Sequence, residues 1–379
     1  MPWDPLSEEQ RGIRELVRTL TRERIAPRAA EIDESGDFPW DMVELLREHE
    51  IFGLAFGERH GGANAGALML LVAVEEISKA DATVGLILAV QELSSLALRL
   101  AGTEEQQDRF LPKLASGEWI AAYALTEPGS GSDAAAMRTE AKREGDEYVL
   151  NGSKRFITNA GVAHLYTVFA KTDPSAGHDG ISCFVVEADA PGFEVGRIEP
   201  KLGIKGSTTG EIFLSDCRIP AANRVGEEGE GFRIAMDRIS VNRLLHCPTM
   251  IGLARQAYRM SVEYAHHRQQ FGGPISRFQA IQHMLADMAT ALYACEKMVL
   301  ATAETAQGGA DIRTEASMCK VFVSERCFEV ADKAVQIHGN VGVTRNHPVE
   351  FIFRRLRMWR IVTGTSEIQR NTIAKGILG

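Results

Sequence analysis

The sequence predicts an α+β chain in three parts: helical over residues 1–120, a small antiparallel β domain over 121–230, and helical again over 231–379. Three observations predict it. Apolar residues recur at helical spacing behind capping residues in the first third. Short apolar and β-branched runs separated by glycines then replace that period. Long helical patterns return after residue 230. No βαβ spacing occurs, which argues against a doubly wound dinucleotide-binding sheet, and there is no internal repeat or low-complexity linker.

Ser7-Glu-Glu-Gln10 is a capping-box pattern, and Ile13, Leu16, Val17 and Leu20 follow it at helical spacing. A second helix is expected after Pro39, from Trp40 to His49. Gly61-Gly62 breaks the chain, and Thr103-Glu-Glu-Gln106 caps a further helix ending near Gly117. Four or five helices with short connections suggest a bundle-like domain. Strands are expected at Tyr148–Leu150, Arg155–Thr158, Tyr166–Lys171, Ile181–Glu187 and Glu211–Leu214, with Asn151-Gly152 as a hairpin turn. Beyond them the pattern predicts helices over Phe232–His267, kinked at Pro248, then Phe278–Gln307, Thr314–His338 and Pro348–Arg360. A last helix follows the Gly364-Thr365-Ser366 turn.

With 379 residues, 45% of them hydrophobic, the chain has ample material for a core. Its net charge of −9 comes from interspersed acids and bases, so no basic stripe offers itself to nucleic acid. Met1-Pro-Trp-Asp-Pro lacks a basic start and an apolar run, so no secretory leader is expected. Ala67–Val74 and Thr83–Ala101 are apolar, but Glu75, Glu76, Glu92 and Arg99 mark them as core helices rather than membrane spans. Cys183, Cys217, Cys247, Cys295, Cys319 and Cys327 form no CxxC, which suits buried reduced thiols in a cytoplasmic protein better than a zinc site.

The stretch Tyr123-Ala-Leu-Thr-Glu-Pro-Gly-Ser-Gly-Ser-Asp133 sits where the period changes. Its glycines and hydroxyls can present backbone N–H and O–H donors to a ligand without side-chain bulk. By itself it is equally an ordinary surface loop. Four further motifs follow in order: Asn151-Gly-Ser-Lys-Arg-Phe-Ile-Thr158, Arg268-Gln-Gln-Phe-Gly-Gly-Pro-Ile275, Gln336-Ile-His-Gly-Asn-Val-Gly342 and Gly364-Thr-Ser-Glu-Ile-Gln-Arg370. With these five motifs the chain resembles the acyl-CoA dehydrogenase family along essentially its whole length. The resemblance implies an N-terminal helical domain, a middle antiparallel β-barrel-like domain and a C-terminal four-helix bundle, as the periodicity does for the order of the three.

The resemblance also implies bound FAD. It places Tyr123, Leu125, Thr126 and Ser132 on the flavin or its ribityl chain, and Phe156, Ile157 and Thr158 around the isoalloxazine ring. Arg268 and Phe271, with Gln336 and Gly339, would serve the cofactor of a neighbouring subunit, the guanidinium matching a pyrophosphate, and Gln279 would be a further cofactor contact. Thr365 and Glu367 would complete the site. Taken singly, Phe156 is an ordinary core aromatic and Arg268 an ordinary solvated charge; the recurrence of the motifs is what singles them out. Asn340 stands where relatives carry glycine.

The implied ligand is an acyl-CoA or acyl-carrier thioester, with Ser132, Arg243 and Gly364 as substrate contacts, a homotetramer as the assembly and an electron-transferring flavoprotein as redox partner. The acyl pocket would be lined from Leu86–Ser95, with Gln91, Glu92 and Ser95 as its polar part. Gly85 stands where relatives acting on dicarboxylic chains carry arginine, so a free distal carboxylate would be buried unpaired.

The chemistry departs from the family at one point. Dehydrogenation needs a base for the α-proton while hydride leaves the β-carbon for the flavin. Relatives supply glutamate either two residues before the Thr of the Gly-Thr-Ser turn or just before an arginine on the long helix. Those positions are Thr363 and Asn242 here, and neither can take an α-proton at neutral pH. Three readings stay open: a substitute base, Glu92 or His246; a family member that needs no α-proton base, such as an enoyl-CoA reductase or an eliminating enzyme; or a non-catalytic flavin- or acyl-binding subunit.

Overall fold

The computed structural model describes residues 6–237, 239–307, 310–345 and 347–379. Ser7 Oγ accepts from the Gln10 N–H and the Gln10 side chain accepts from the Ser7 N–H, so the expected capping box opens α1 (Glu8–Leu20). Two short helices, α2 (Ala29–Ser35) and α3 (Trp40–Glu48), lead to the apolar pair α4 (Gly66–Ser78) and α5 (Ala82–Ala101). Asp81 caps α5 by accepting from the Thr83 and Val84 N–H groups. Helix α6 (Glu104–Ala115) opens with the second capping box, at Thr103 and Gln106. By length and composition α5 could cross a membrane, yet 72% of its apolar window is buried inside the protein.

Eight strands follow: β1 (Ala121–Ala124), β2 (Glu140–Glu144), β3 (Glu147–Thr158), β4 (Leu165–Lys171), β5 (Ile181–Glu187), β6 (Phe193–Ile198), β7 (Thr209–Pro220) and β8 (Arg224–Val225). They form one sheet in the order β6-β7-β3-β2-β4-β5-β8, with β1 also on β4. The sheet is mixed rather than wholly antiparallel. β1 and β2 both run parallel to β4 along one edge, β1 against Leu165–Val168 and β2 against Lys171. The chain leaves that edge after Ala124 and rejoins it at Glu140, so the same direction is kept on both sides of the excursion. Residues 125–139 are that excursion, and they carry the glycine-rich motif.

The hairpin expected at Asn151-Gly152 is not there. Those residues lie inside β3, which is one long strand where two short ones were expected. The turn between β2 and β3 is at Gly145-Asp146, with Gly145 at φ 63°. Asn151 instead bonds across to β7, through Asp216 N–H and the Asp216 carboxylate. Gly152 is required by crowding, because a Cβ there would fall 2.5 Å from Thr139 Oγ1. A local Asn-Gly signal thus yields to tertiary packing.

The C-terminal third contains α7 (Gly231–Asp237), α8 (Ile239–His267), the ribbon β9 (Gln269–Gln270) and β10 (Gly273–Pro274), then α9 (Gln279–Gln307), α10 (Arg313–His338), α11 (Pro348–Arg357) and α12 (Ser366–Leu378). The long helix expected from Phe232 is helical over its described parts, α7 and α8; Arg238 lies outside the described residues. Helix α8 runs through Pro248.

Helices α4 and α5 pack on α8, and one hydrophobic core runs from the N-terminal helices into the C-terminal bundle, from Leu6 to Trp359. One face of the sheet packs beneath the helices through Phe110, Leu165, Phe169, Val185 and Ile234. The other carries Tyr148, Leu150, Tyr166, Phe184 and Ile212. Buried Arg355 joins Asp33 and Asp81 at 3.2 and 3.1 Å, tying α2 and the start of α5 to α11. All six cysteines are buried and free.

Candidate active site

Loop 125–133 is anchored through one carboxylate. Glu127 accepts from the Arg138 N–H (2.6 Å), the Thr139 N–H (3.0 Å), the Thr139 hydroxyl (2.6 Å) and Lys154 Nζ (2.8 Å). Burial pushes the Glu127 carboxyl up, but Lys154, Thr139 and the Arg138 amide outweigh it and hold the group below the usual carboxylate range. Lys154 is fully buried on β3, and burial draws its pKa down to about 8 against the pull of Glu127. With the loop pinned there, the N–H groups of Thr126, Gly129, Gly131, Ser132 and Asp133 donate to no protein acceptor among the described residues. Cβ atoms on Gly129 and Gly131 would meet nothing within 4 Å, so these free donors face open space.

Two residues beyond Lys154, the strand bulges. The β3–β7 register shifts between Lys154 and Ile157, and Phe156 takes φ 59°. A left-handed backbone at a bulky residue is strained. It turns the Phe156 ring outward, 57% exposed, beside the Arg155 guanidinium. The Arg155 N–H donates to Thr126 O at 2.9 Å, so the bulge and the glycine-rich loop are joined directly. Ile157 differs from expectation: its side chain is buried in the sheet core with Leu150 and Ile212, so only its backbone is on the site side. Thr158 is half-buried and Ser132 exposed. Tyr123 packs on Phe169, and its hydroxyl is buried without a partner.

A second group forms around the Gly364 turn. Thr363 has φ 54° and Gly364 φ 90°, and Thr365 caps α12 by accepting from the Ile368 N–H. Lys320, fully buried on α10, donates to Gly364 O at 2.7 Å. Gln369 donates to the same oxygen and to Thr363 O. Arg243 on α8 reaches the turn from the other side: a Cβ on Gly364 would lie 3.7 Å from its NH2 nitrogen. Among the described residues Arg243 and Lys320 have no carboxylate partner, and burial lowers both, Lys320 to about 8. His246, one turn past Asn242, stacks on Trp359 and has no hydrogen bond on either ring nitrogen. Burial, with Lys320 nearby, draws its pKa down to about 4, so it is neutral and weakly basic. Asn242 lies in α8, but its side chain is outside the described residues. Glu367 is exposed in the first turn of α12.

The third group lies at the shared end of α8 and α10, where Tyr264 stacks on His338 at 4.5 Å. Arg268 and Gln279 are exposed there, and among the described residues Arg268 has no ion pair. Phe271 is 86% exposed at φ 49°. Gln336 is exposed, and Gly339 takes φ 61° and ψ −140°, a conformation that glycine alone tolerates well. Asn340 follows it, exposed. Positive φ at Phe156, Phe271 and Thr363 puts a strained backbone in each of the three groups.

The polar residues of α5 make their hydrogen bonds within the protein. Gln91 bonds Leu114 O, Trp119 O and the Ala121 N–H, Ser95 bonds Glu92 O, and both Glu92 oxygens lie 2.6 Å from Arg99. These polar groups find partners inside the protein. Glu92 is paired with Arg99, yet burial outweighs the arginine and pushes its carboxyl above the usual range. Gly85 faces α4, where Ser78 Oγ would lie 2.2 Å from a Cβ, so a larger residue there requires Ser78 to move.

Sequence reasoning missed Lys154, Glu127, Lys320 and Gln369. Lys320 had a signal: it interrupts a buried helical face with Ala316, Ser317, Val323 and Ser324 at i±3 and i±4.

The donor set fits a flavin dinucleotide: free amide donors on a glycine-rich loop, an outward aromatic at a strained bulge and an unpaired exposed arginine. Comparison with known proteins identifies the family. The chain matches the N-terminal, middle and C-terminal domains of acyl-CoA dehydrogenase over residues 7–118, 122–217 and 229–378. It is 41% identical to an acyl-CoA dehydrogenase of Bacillus subtilis over 99% of both chains. It overlays the butyryl-CoA dehydrogenase of Megasphaera elsdenii with a TM-score of 0.97 at 35% identity, covering both chains fully. A chain from work on the electron transferring flavoprotein of Acidaminococcus fermentans overlays equally, at TM-score 0.97 and 37% identity over the full length of both chains. The protein belongs to the acyl-CoA dehydrogenase family, oxidoreductases that act on the CH–CH bond of acyl thioesters.

Proposed function

We propose that the protein binds FAD noncovalently and works on the Cα–Cβ bond of an acyl-CoA or acyl-carrier thioester. The observation that carries this is the junction of Thr126 and Arg155, which sets the free amides of loop 125–133 beside the outward ring of Phe156. When bound, the flavin supplies hydride acceptance. The loop amides of Thr126, Gly131 and Ser132 would hold its polar edge, and Phe156 and the Thr158 backbone would wall the ring and exclude water. Arg243 and Gly364 would orient the thioester. Arg268, Phe271, Gln279, Gln336 and Gly339 would hold the flavin of a second copy, which makes the working unit a homo-oligomer, a tetramer by the family pattern. Division at residues 120 and 230 describes the three domains of that unit. Free buried cysteines suit a reducing, cytoplasmic location, and an electron-transferring flavoprotein suits the reoxidation of the flavin.

The decisive experiment is an anaerobic titration of the purified protein with acyl- and enoyl-CoAs, following flavin absorbance. Bound FAD and spectral perturbation by a thioester support the proposal. Protein that shows no flavin absorbance and binds no FAD by calorimetry overturns it.

A further inference from the structure

Among the described residues no carboxylate pairs with the positive charge at the Gly364 turn. Arg243 is 7% exposed, its Nε is buried without a partner, and no hydrogen bond of its outer nitrogens is found among the described residues. The charge that acts on it is that of another cation, Arg313. Lys320 stands behind the turn with a carbonyl as its partner. The acids that act on Lys320 are Glu367, exposed on α12, and Glu325, which is paired with Arg370 at 2.7 Å. A buried cation without an anion is costly, and a planar guanidinium with two free nitrogens is the natural receptor of a carboxylate. The same turn bears Thr363, and Arg243 directly follows Asn242, so an anion site lies where relatives would place a base.

We infer that the anion comes with the substrate, and that the thioester turned over here carries a carboxylate on Cα, held by Arg243. The inference rests on the thioester reading above and narrows its substrate class. It also accounts for the lack of a base. The Cα–carboxylate bond breaks and CO2 leaves. Its electron pair becomes the Cα–Cβ double bond as hydride departs from Cβ to the flavin oxidant, and no proton is taken from Cα. The products are an enoyl thioester, CO2 and reduced flavin. A carboxylate on Cα differs from the distal carboxylate that Gly85 disfavours.

The test compares butyryl-CoA with ethylmalonyl-CoA, and the two matching pantetheine thioesters, on FAD-loaded protein. The pantetheine pair lacks the CoA phosphates, so it separates the acyl carboxylate from a phosphate as the ion Arg243 receives. Ethylmalonyl thioesters are expected to bind about tenfold tighter in both series, and carboxyl-labelled ethylmalonyl-CoA should release one labelled CO2 per flavin reduced. Arg243→Gln should erase the preference in both series, and Arg243→Lys should restore part of it; flavin occupancy of each variant shows that it folds. Equal binding of the two acyl types, a preference lost without the phosphates, a preference that survives in Arg243→Gln, or tight binding without CO2 release overturns the inference while leaving the thioester reading standing. If neither acyl type binds, both fall.

Discussion

Lys154 Nζ lies 2.8 Å from Glu127 Oε1, and this buried pair joins the glycine-rich loop to the bulge at Phe156. Glu127 lies next to Thr126 in the glycine-rich loop, and Lys154 lies two residues before Phe156 at the bulge. Breaking such a pair from one side leaves a buried charge and costs about 3–5 kcal/mol. Glu127→Gln should therefore destabilise more than the double variant Glu127→Gln/Lys154→Met. Urea unfolding of the single and double variants checks this; equal losses would show that the pair is not coupled.

Lys154 also makes a pH signature. Its folded pKa of about 8 lies below the ordinary lysine value of 10.5. Between those values the unfolded chain holds more protons than the folded one, so this group makes stability rise with pH over that window. Glu127 is ionised throughout. Lys201 and Lys320 are drawn down to about 8 as well, and buried cysteines act in the opposite sense, so the difference between wild type and Lys154→Met isolates the effect. That difference should shift in favour of the wild type as pH rises from 8 to 10.5. A difference that stays flat refutes the assignment.

The helical boundaries were legible because they are local. Ser7 and Thr103 cap where their capping boxes place them, and α12 starts at its Thr365 cap. The sheet was less so. Asn151-Gly152 reads as a turn, but its place is set by Thr139 and Asp216, which are distant in sequence. The five motifs carried the site regions, since each names a short continuous segment. What stayed hidden was long-range pairing: Glu92 with Arg99, Glu127 with Lys154, and Lys320 with Gly364. No periodicity encodes which buried charge finds a partner.

Phe156 tests whether strain at the bulge serves the cofactor. Its φ of 59° favours glycine, and its ring is mostly exposed. Phe156→Gly should be neutral or stabilising by about 1 kcal/mol in the apo protein. It should still weaken FAD binding and shift the flavin spectrum. Unchanged FAD affinity would show that the ring does not face the cofactor.

Arg268 and Phe271 test the assembly. Arg268 is exposed with no ion pair among the described residues, and Phe271 is 86% exposed, its ring meeting only Phe278 edge-on at 5.9 Å among the described aromatics. Arg268→Ala should lose FAD and weaken the oligomer together, read by light scattering and flavin absorbance on the same sample. A monomeric wild type with full FAD occupancy contradicts this.

Thr363→Glu places a carboxylate at the turn that Arg243 and Lys320 flank. Two consequences follow with opposite signs for two substrates. The new acid supplies a base, so oxidation of a saturated acyl-CoA with an artificial acceptor should appear or rise, by on the order of 10²–10⁴-fold for a well-placed base. The neighbouring cations lower its pKa and hence its basicity, which points to the lower end of that range. The same carboxylate neutralises Arg243, so ethylmalonyl-CoA should bind about tenfold more weakly than to the wild type. Parallel stopped-flow reduction and calorimetry measure both. Fast reduction of the wild-type flavin by butyryl-CoA would show that another base acts. His246, near pKa 4, is a weak base, so His246→Gln should then leave that rate unchanged; Glu92, paired with Arg99 but raised by burial, is tested by Glu92→Gln, and a large loss in either would identify the base. No gain in Thr363→Glu, with FAD and thioester binding intact, would mean that Cα is not presented to this turn.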